Sequence, residues 1–415
     1  MVFEGTSDFP SERWKLYRDG FKTLLKSRSQ LVKTIREPFY ATLSANGREA
    51  LFCQLALLTF EKGLYFFDLD TAEQLIKQTL PNCLNCKKDH LTIEELEIDA
   101  FLNAIESQHG ILAERAHEIY SFSHLTFQEY FAARQIVKTV HLQSLETLAS
   151  HFTESRWREV LFLALDMLQS ADTLLRLMQQ QTDGLLAGDE KLQQFLAWVD
   201  EKANSTHTNY KTVTIRAIYF AIALNFNLNL TLDLDNILDL NLDLASFLDL
   251  DFSVTSYGSD LDDDLIPDFG PDLNLDLDLN DVLNFRPDPE VNLQNFLQYV
   301  IDSTNDSELQ RQLQQLKDRV PDTLQEKREI FEQWWQTNSQ AWVKQLQMVI
   351  VQYRNIGHDW QFSDAQKQRL QQYYDANKLL VLCLRKKPIS DSLRQEIEGK
   401  LLLPLAEIAQ RESSQ

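Results

Sequence analysis

The chain has 415 residues, 44% of them hydrophobic, which is enough for roughly two or three domains with packed cores. Its formal net charge of −22 repels phosphate backbones and so disfavours direct nucleic-acid binding. The sequence has no apolar run of about 18 residues, no signal-peptide pattern and too few cysteines for a disulfide framework, which predicts a cytoplasmic protein without a membrane span.

The sequence of residues 31–140 predicts a winged-helix domain, and a further helix is predicted before it. Apolar residues recur at helical spacing in four stretches, residues 10–28, 48–63, 71–80 and 92–110. Gly63 and Gly110 are typical helix stops, and Thr92 with Glu95 fits a capping box. These signals predict the helices on which the rest of the domain is built.

A β-hairpin is predicted to follow the fourth of these helices. Two short apolar runs, Ile111–Leu112 and Ile119–Phe122, flank a charged tip. Residues 126–137 then return to helical period, with Thr126 and Glu129 as a second capping box. A hairpin inserted next to the last of three or four helices is typical of a winged helix.

Residues 141–223 predict a further helical domain, and residues 224–290 are unusual in composition. Between Leu224 and Phe285 there are 15 Asp and no Glu, Lys or Arg. Apolar and polar residues alternate from Leu224 to Leu234, which is strand period, and a five-residue recurrence resembles a pentapeptide-repeat β-solenoid. A helical solenoid and an acidic, partly disordered insert are the alternatives. Residues 258–290 resemble a loop, and we expect a solvated acidic face rather than a calcium site.

Residues 291–415 predict an all-α C-terminal domain. Ser363 and Gln366 match a capping box. Three tryptophans are expected to fill its core: Trp334, Trp335 and Trp342. The predicted fold class is therefore mainly α, with a winged-helix domain that contains a small β-hairpin, helical domains after it, and an Asp/Leu-rich, repeat-like middle segment.

The sequence contains no phosphate-binding glycine loop. No glycine belongs to a G-x-x-x-x-G-K-[ST] or G-x-G-x-x-G motif, and the single Gly–Lys pair, Gly399–Lys400, is followed by Leu401. Without such a loop and its lysine, the chain has no evident way to hold a triphosphate and Mg²⁺ unaided. We therefore predict no ATPase activity from this chain alone.

Two other clusters of reactive residues are interpreted as structural. Cys83, Cys86 and His90 have the spacing of zinc ligands, but a structural zinc site needs about four ligands and the second pair is absent, so an ordinary loop is favoured over a metal-dependent hydrolase. His358 and Asp359 resemble a pair that orients a general base, yet no nucleophile accompanies them. Capping of the next helix is the favoured interpretation.

His124 is the candidate binding residue. It lies between the predicted hairpin and the amphipathic helix of residues 126–137. A histidine at such a junction is most often structural. The start of the helix, however, carries unpaired N–H groups and a partial positive charge that suit a phosphate, and imidazole can donate to a phosphate oxygen.

Several long motifs resemble one protein family. These are "FPSERWKLYRDGFKTLL" (residues 9–25), "YSFSHLTFQEYFAARQIV" (120–137), "RWREV" (156–160) and "EQWWQTNSQAWVKQL" followed by "YRNIGHDWQFSDAQKQRLQQYYDANKLL" (332–380). They are similar to the region after the nucleotide-binding core of NACHT-family STAND NTPases, in particular bacterial ones of cyanobacterial type. The resemblance covers most of residues 9–170 and 320–410.

The resemblance implies a parent molecule that binds ATP or ADP and switches between closed and open oligomeric states in signalling or antiphage defence. It implies that residues 1–30 include the end of the NACHT lid helix and that His124 contacts the ADP β-phosphate in the inactive state. The sequence begins after the segments that would carry Walker A, Walker B and the sensors. We expect a fragment, a split gene product or a degenerate copy.

Two functions remain open from the sequence. In the first, the chain is the C-terminal regulatory and sensor part of a NACHT protein, and it completes an ADP/ATP site whose P-loop segment is supplied in cis or in trans. Homo-oligomerisation on activation would belong to this function. In the second, the chain is a non-catalytic helical scaffold or ligand sensor in which His124 is purely structural.

Overall fold

The computed structural model describes residues 13–27, 40, 43–83, 97–139, 142–206, 210–228, 275–276, 279, 293–321 and 328–413. This part of the chain is mainly α-helical and contains one small three-stranded sheet, which confirms the predicted fold class. Contacts divide the chain into two units. Unit 1 comprises residues 1–181 with 386–389, and unit 2 comprises residues 182–385 with 390–415.

Unit 1 contains the sheet and the helices around it. In chain order its elements are α1 (Arg13–Ser27), α2 (Ala45–Glu61), β1 (Phe67–Asp68), α3 (Leu69–Cys83), α4 (Ile98–His109), β2 (Leu112–Ala116), β3 (Ile119–Phe122), α5 (Leu125–Lys138), α6 (Leu142–Ser150), a 3-10 turn (Ser155–Trp157) and α7 (Arg158–Met167). Helix α8 (Asp172–Gly184) contains the point at which the two units divide. The helices predicted in this half of the sequence are therefore present.

The sheet is antiparallel, with β3 between β1 and β2. Strands β2 and β3 form the predicted hairpin, in which Leu112 pairs with Phe122, and the register shifts between Glu114 and Ala116. Strand β1 contributes two residues to the sheet, and its Phe67 pairs with Tyr120 of β3. It was not predicted, because two residues carry no readable periodicity.

The core of unit 1 forms where α1, α2 and α5 meet. Phe131 of α5 is fully buried, and its ring lies 5.7 Å from that of Phe52 on α2. Phe21 of α1 contacts the rings of Phe127, Tyr130 and Phe131 at centroid distances of 4.7, 5.1 and 4.5 Å. Burial of each such aromatic ring contributes about 2 kcal/mol. This cluster fixes α5, and with it the residues at the start of α5.

The part of unit 2 that the structure describes contains helices joined by loops, and no strand. Its helices are α9 (Glu190–Ser205), α10 (Thr212–Leu228), α11 (Leu293–Ser303), α12 (Ser307–Lys317), α13 (Arg328–Arg354), α14 (Asp364–Lys386), α15 (Asp391–Lys400) and α16 (Leu405–Ser413). None of the described helices in either unit combines the length and the apolar character that crossing a bilayer requires.

The structure confirms one feature predicted for the C-terminal helices and corrects another. The Ser363 backbone N–H donates to Gln366 Oε1, and the Gln366 backbone N–H donates to Ser363 Oγ, at 3.1 and 3.3 Å, so this capping box is present. Trp342 is buried as predicted, but Trp334 and Trp335 are half-exposed. Their rings extend the aromatic cluster around Trp342 toward the surface of α13.

The middle segment departs from two predictions. Residues 224–228 belong to α10 rather than to a strand, because the run before them is apolar on every face and is buried as a helix. Residues 275, 276 and 279 are helical, although residues 258–290 were predicted to be loop-like. The remainder of the predicted alternating stretch, and Thr92 with Glu95, lie outside the described residues.

Gly110 provides a test of the backbone conformation that ends α4. It has φ +62°, and its N–H donates to the carbonyls of Glu106 and Ile105. Gly110→Ala is expected to lower the free energy of unfolding by about 1 kcal/mol because an L side chain is strained there. Gly20→Ala, in the interior of α1 with open space at the added methyl, is expected to raise it by about 0.5–1 kcal/mol. Denaturant unfolding of both variants measures the difference, and equal effects would contradict the assignment.

Candidate functional site

The candidate site lies where β3 passes into α5. The Ser123 backbone N–H and its Oγ both donate to the Ile111 carbonyl at 2.8 Å, and Oγ also contacts the Gly110 carbonyl. These bonds hold the end of β3 against the residues that follow α4. The next residue, His124, therefore has a position fixed by the hairpin and by the helix end beside it.

His124 is the N-cap residue of α5. Its backbone is extended, with φ −137° and ψ 141°, and its carbonyl accepts the Phe127 N–H at 3.0 Å. The prediction that Thr126 and Glu129 form the capping box is wrong, because α5 begins at Leu125 and Thr126 lies inside its first turn. The strand enters the helix directly through the turn held by Ser123, so the helix begins earlier than its apolar periodicity indicated.

The His124 side chain is exposed and does not cap the helix. Its ring lies edge-on to that of Phe127, with a centroid distance of 5.2 Å and an interplanar angle of 75°. No capping side chain therefore satisfies the first N–H groups of this 14-residue helix. A helix start of this kind attracts an anion through its free N–H groups and its partial positive charge.

A cavity of about 500 Å³ lies beside the same junction. Its lining comprises Tyr65, Phe66, Arg115, Ser121, Phe122, Ser123, Leu125 and Gln128. Tyr65, Phe66 and Leu125 are 41%, 64% and 49% exposed, which is unusual for large apolar side chains. His124 is outside the lining, although both of its neighbours in the chain contribute to it.

Two polar residues shape this cavity, and sequence reasoning missed both. Arg115 Nε donates to Ser121 Oγ at 2.9 Å, and its Nη2 donates to the Ser123 carbonyl at 2.7 Å. Gln128 is buried, and its Nε2 donates to Thr59 Oγ1 and to the Leu64 carbonyl at 2.8 and 3.0 Å. Arg115 supports the β3–α5 turn, and Gln128 ties α5 to the loop that carries Tyr65. A polar residue on the apolar face of a helix was the one sequence signal for Gln128.

The other predicted clusters do not form a catalytic arrangement in the described residues. His358 Nε2 lies 2.7 Å from Asn355 Oδ1, and burial lowers the pKa of this histidine. Asp359 Oδ1 accepts the Gln361 backbone N–H at 2.9 Å, which is a turn contact. Within the described ranges, no three His, Cys, Asp or Glu side chains meet in a metal-binding group.

Cys83 is a buried end-of-helix thiol. Its Sγ donates to the Thr79 carbonyl at 3.3 Å, and burial raises the pKa of the thiol to about 11. Burial raises the pKa of Cys53 to about 12. Cys86 and His90, the other two proposed ligands of the zinc cluster, lie outside the described residues.

Thiol alkylation tests the environment of Cys53 and Cys83. A raised pKa means that the reactive thiolate is scarce at neutral pH and forms only as the pH passes about 11 for Cys83 and about 12 for Cys53. We expect both to react with iodoacetamide at pH 7.5 on the order of a hundredfold more slowly than a free cysteine peptide. Peptide mass spectrometry assigns the modified residue. Rapid modification of Cys83 in the folded protein would contradict the burial of its thiol.

Comparison with known proteins gives two family matches. Residues 24–136 match the model described as the winged helix-turn-helix domain C-terminal to NACHT, and residues 309–404 match that described as NACHT C-terminal helical domain 2. The first match contains the β3–α5 junction, and the second contains most of α12 together with α13, α14 and α15. Searches of curated proteins and of solved structures give no significant match.

Proposed function

Because its two matched domains make this chain a member of the NACHT family, we propose that it acts as the regulatory part of a NACHT NTPase. Both domains are defined by their place C-terminal to the NACHT segment, which implies association with such a segment. That segment would be joined to these domains in one polypeptide or would bind them as a separate chain.

The proposed regulatory site is the start of α5. His124 would donate a hydrogen bond from its imidazole to the β-phosphate of ADP, while the N–H groups of the first turn of α5 attract the same anion. The observation that carries this proposal is that His124 is exposed at the N-cap and that no side chain makes a capping hydrogen bond to α5. An enclosed histidine at this junction would have no access to a ligand.

The nucleotide site would be shared. The sequence contains no glycine–lysine loop that could surround the phosphates, so the NACHT segment would supply the P-loop and the acidic magnesium ligands. This chain would contribute a histidine and a helix start to ADP or ATP binding, and it would not hydrolyse ATP alone. Assembly into homo-oligomers and a role in defence or signalling belong to this proposal through the resemblance described above. The cytoplasmic location belongs to it through the composition of the sequence.

A second function is a helical scaffold or ligand sensor in which His124 is structural. The edge-on packing of its ring on Phe127 supports this alternative, because that contact orients the imidazole without any ligand. The exposed apolar residues around the cavity would then bind a partner directly. The two functions differ in whether the identity of residue 124 affects nucleotide affinity.

The first test compares two exposed histidines of unit 1. His124→Ala, in this chain assembled with its NACHT P-loop segment, is expected to weaken ADP binding roughly tenfold or more, since a hydrogen bond to a charged group is lost. His117→Ala is the matched control, because its side chain is 92% exposed at the tip of the β2–β3 hairpin, and it should leave the affinity unchanged. Isothermal titration calorimetry measures both. Unchanged affinity in His124→Ala would favour the scaffold function.

A second test uses this chain without the NACHT segment. If the phosphate site is shared, titration with ADP is expected to give no binding at concentrations up to about 1 mM, because the P-loop contacts are missing. A far-ultraviolet circular dichroism spectrum checks that the chain is folded. Micromolar binding by the folded chain alone would show that the pocket is complete without a P-loop, which contradicts the shared site.

A further inference from the structure

One aspartate of the acidic middle segment is buried among cationic and hydroxyl donors. Asp276 has no exposed side-chain surface. Lys202 Nζ and the Tyr219 hydroxyl donate to its Oδ2 at 3.0 and 2.9 Å, and Arg354 Nε donates to its Oδ1 at 2.7 Å. The prediction of a solvated acidic face is therefore wrong at this position, since this carboxylate is fully withdrawn from water.

The three donors come from three different helices. Lys202 lies on α9, Tyr219 on α10, and Arg354 is the last residue of α13. Asp276 itself belongs to the chain between α10 and α11. One carboxylate thus connects the middle segment to all three helices within unit 2.

The same contacts cap the C-terminal end of α13. Lys202 Nζ also donates to the Arg354 carbonyl at 2.8 Å, and Trp198 Nε1 donates to the Asn355 carbonyl at 2.9 Å. Trp198 and Lys202 are four residues apart and therefore lie on one face of α9. Carbonyls at a helix end have no partner within the helix, so these two donors satisfy groups that would otherwise be unpaired.

The cluster depends on the charge of Asp276. Two cationic side chains converge on this one carboxylate, and Lys202 is only 8% exposed. The pKa of Tyr219 is raised by its burial and by the negative charge of Asp276, which keeps the hydroxyl protonated as a donor. Removing one member of a buried ionic group leaves its charged partners without that counter-charge, which is strongly destabilising.

We propose that Asp276 is a buried electrostatic latch that holds the C-terminal end of α13 against α9 and α10. Loss of its negative charge deprives Lys202 and Arg354 of their counter-ion and thereby loosens the end of α13 and the loop after it. Arg354 lies within the matched C-terminal helical domain, whereas Lys202, Tyr219 and Asp276 lie outside both matched segments. The latch therefore joins the matched C-terminal helical domain to two helices that lie outside both matched segments.

Hydrogen exchange of the full chain, followed by mass spectrometry, tests the latch. In Asp276→Asn, peptides that cover residues 348–362 and the C-terminal half of α9 are expected to exchange about tenfold faster or more, because the buried cations lose their counter-ion. Asp302→Asn is the matched control, since Asp302 is an exposed aspartate of unit 2 on α11. It should leave the same peptides unchanged. The increase should persist in 1 M NaCl, because a buried pair is screened little.

A milder variant covers the case in which Asp276→Asn does not fold. Tyr219→Phe removes one of the three donors and leaves both cations, so it should accelerate exchange in the same peptides by a smaller factor. Unchanged exchange in residues 348–362 for the folded Asp276→Asn protein would overturn the proposal. Acceleration spread evenly over every helix of unit 2, in either variant, would also overturn it, because it would indicate general destabilisation without coupling to α13.

Discussion

The turn between β3 and α5 is the constraint on which the candidate site depends. Ser123 binds the Ile111 carbonyl through both its backbone N–H and its hydroxyl, and Arg115 donates to the Ser123 carbonyl. Because the strand is held in this way, His124 takes an extended backbone at the N-cap, and its side chain is exposed. The aromatic core around Phe131 fixes the helix itself. The exposure of His124 thus follows from hydrogen bonds made by its neighbours.

Unit 2 relies on buried polar contacts to a greater degree than its sequence indicated. The end of α13 is held by donors from α9, and Asp276 balances the charge of two of the residues involved. Such contacts add specificity more readily than stability, because each buried charge must first be withdrawn from water. In this chain they join Asp276, Lys202 and Tyr219 to a helix of the matched domain.

Much of the fold could be predicted because its signals are local. Helical periodicity and the glycine stops gave most of the helices, and the Ser363–Gln366 capping box was present as expected. The sequence predicted the N-cap of α5 at Thr126, two residues after its actual position. Hydrogen bonds from Ser123 to the Ile111 carbonyl set this boundary, and the apolar periodicity of the helix carries no information about them. Strand β1 was missed for the same reason, since it exists only through its pairing with β3.

The sites were harder to predict than the elements. Position and resemblance pointed to His124, and the structure places it exposed at a helix start. The cavity beside it also depends on Tyr65, which is remote from His124 in sequence. Asp276 is one of 15 aspartates between Leu224 and Phe285, and composition gave no means of selecting it. The donors that contact it lie on α9, α10 and α13, which are far from one another in sequence.

Histidine-selective NMR of this chain assembled with its NACHT P-loop segment addresses the central claim most directly. If the imidazole of His124 meets a phosphate, addition of ADP shifts the ring resonances of His124 and leaves those of His117 in place, while adenosine, which has no phosphate, shifts neither. Identical His124 resonances with and without bound ADP, or an equal shift caused by adenosine, would contradict the account.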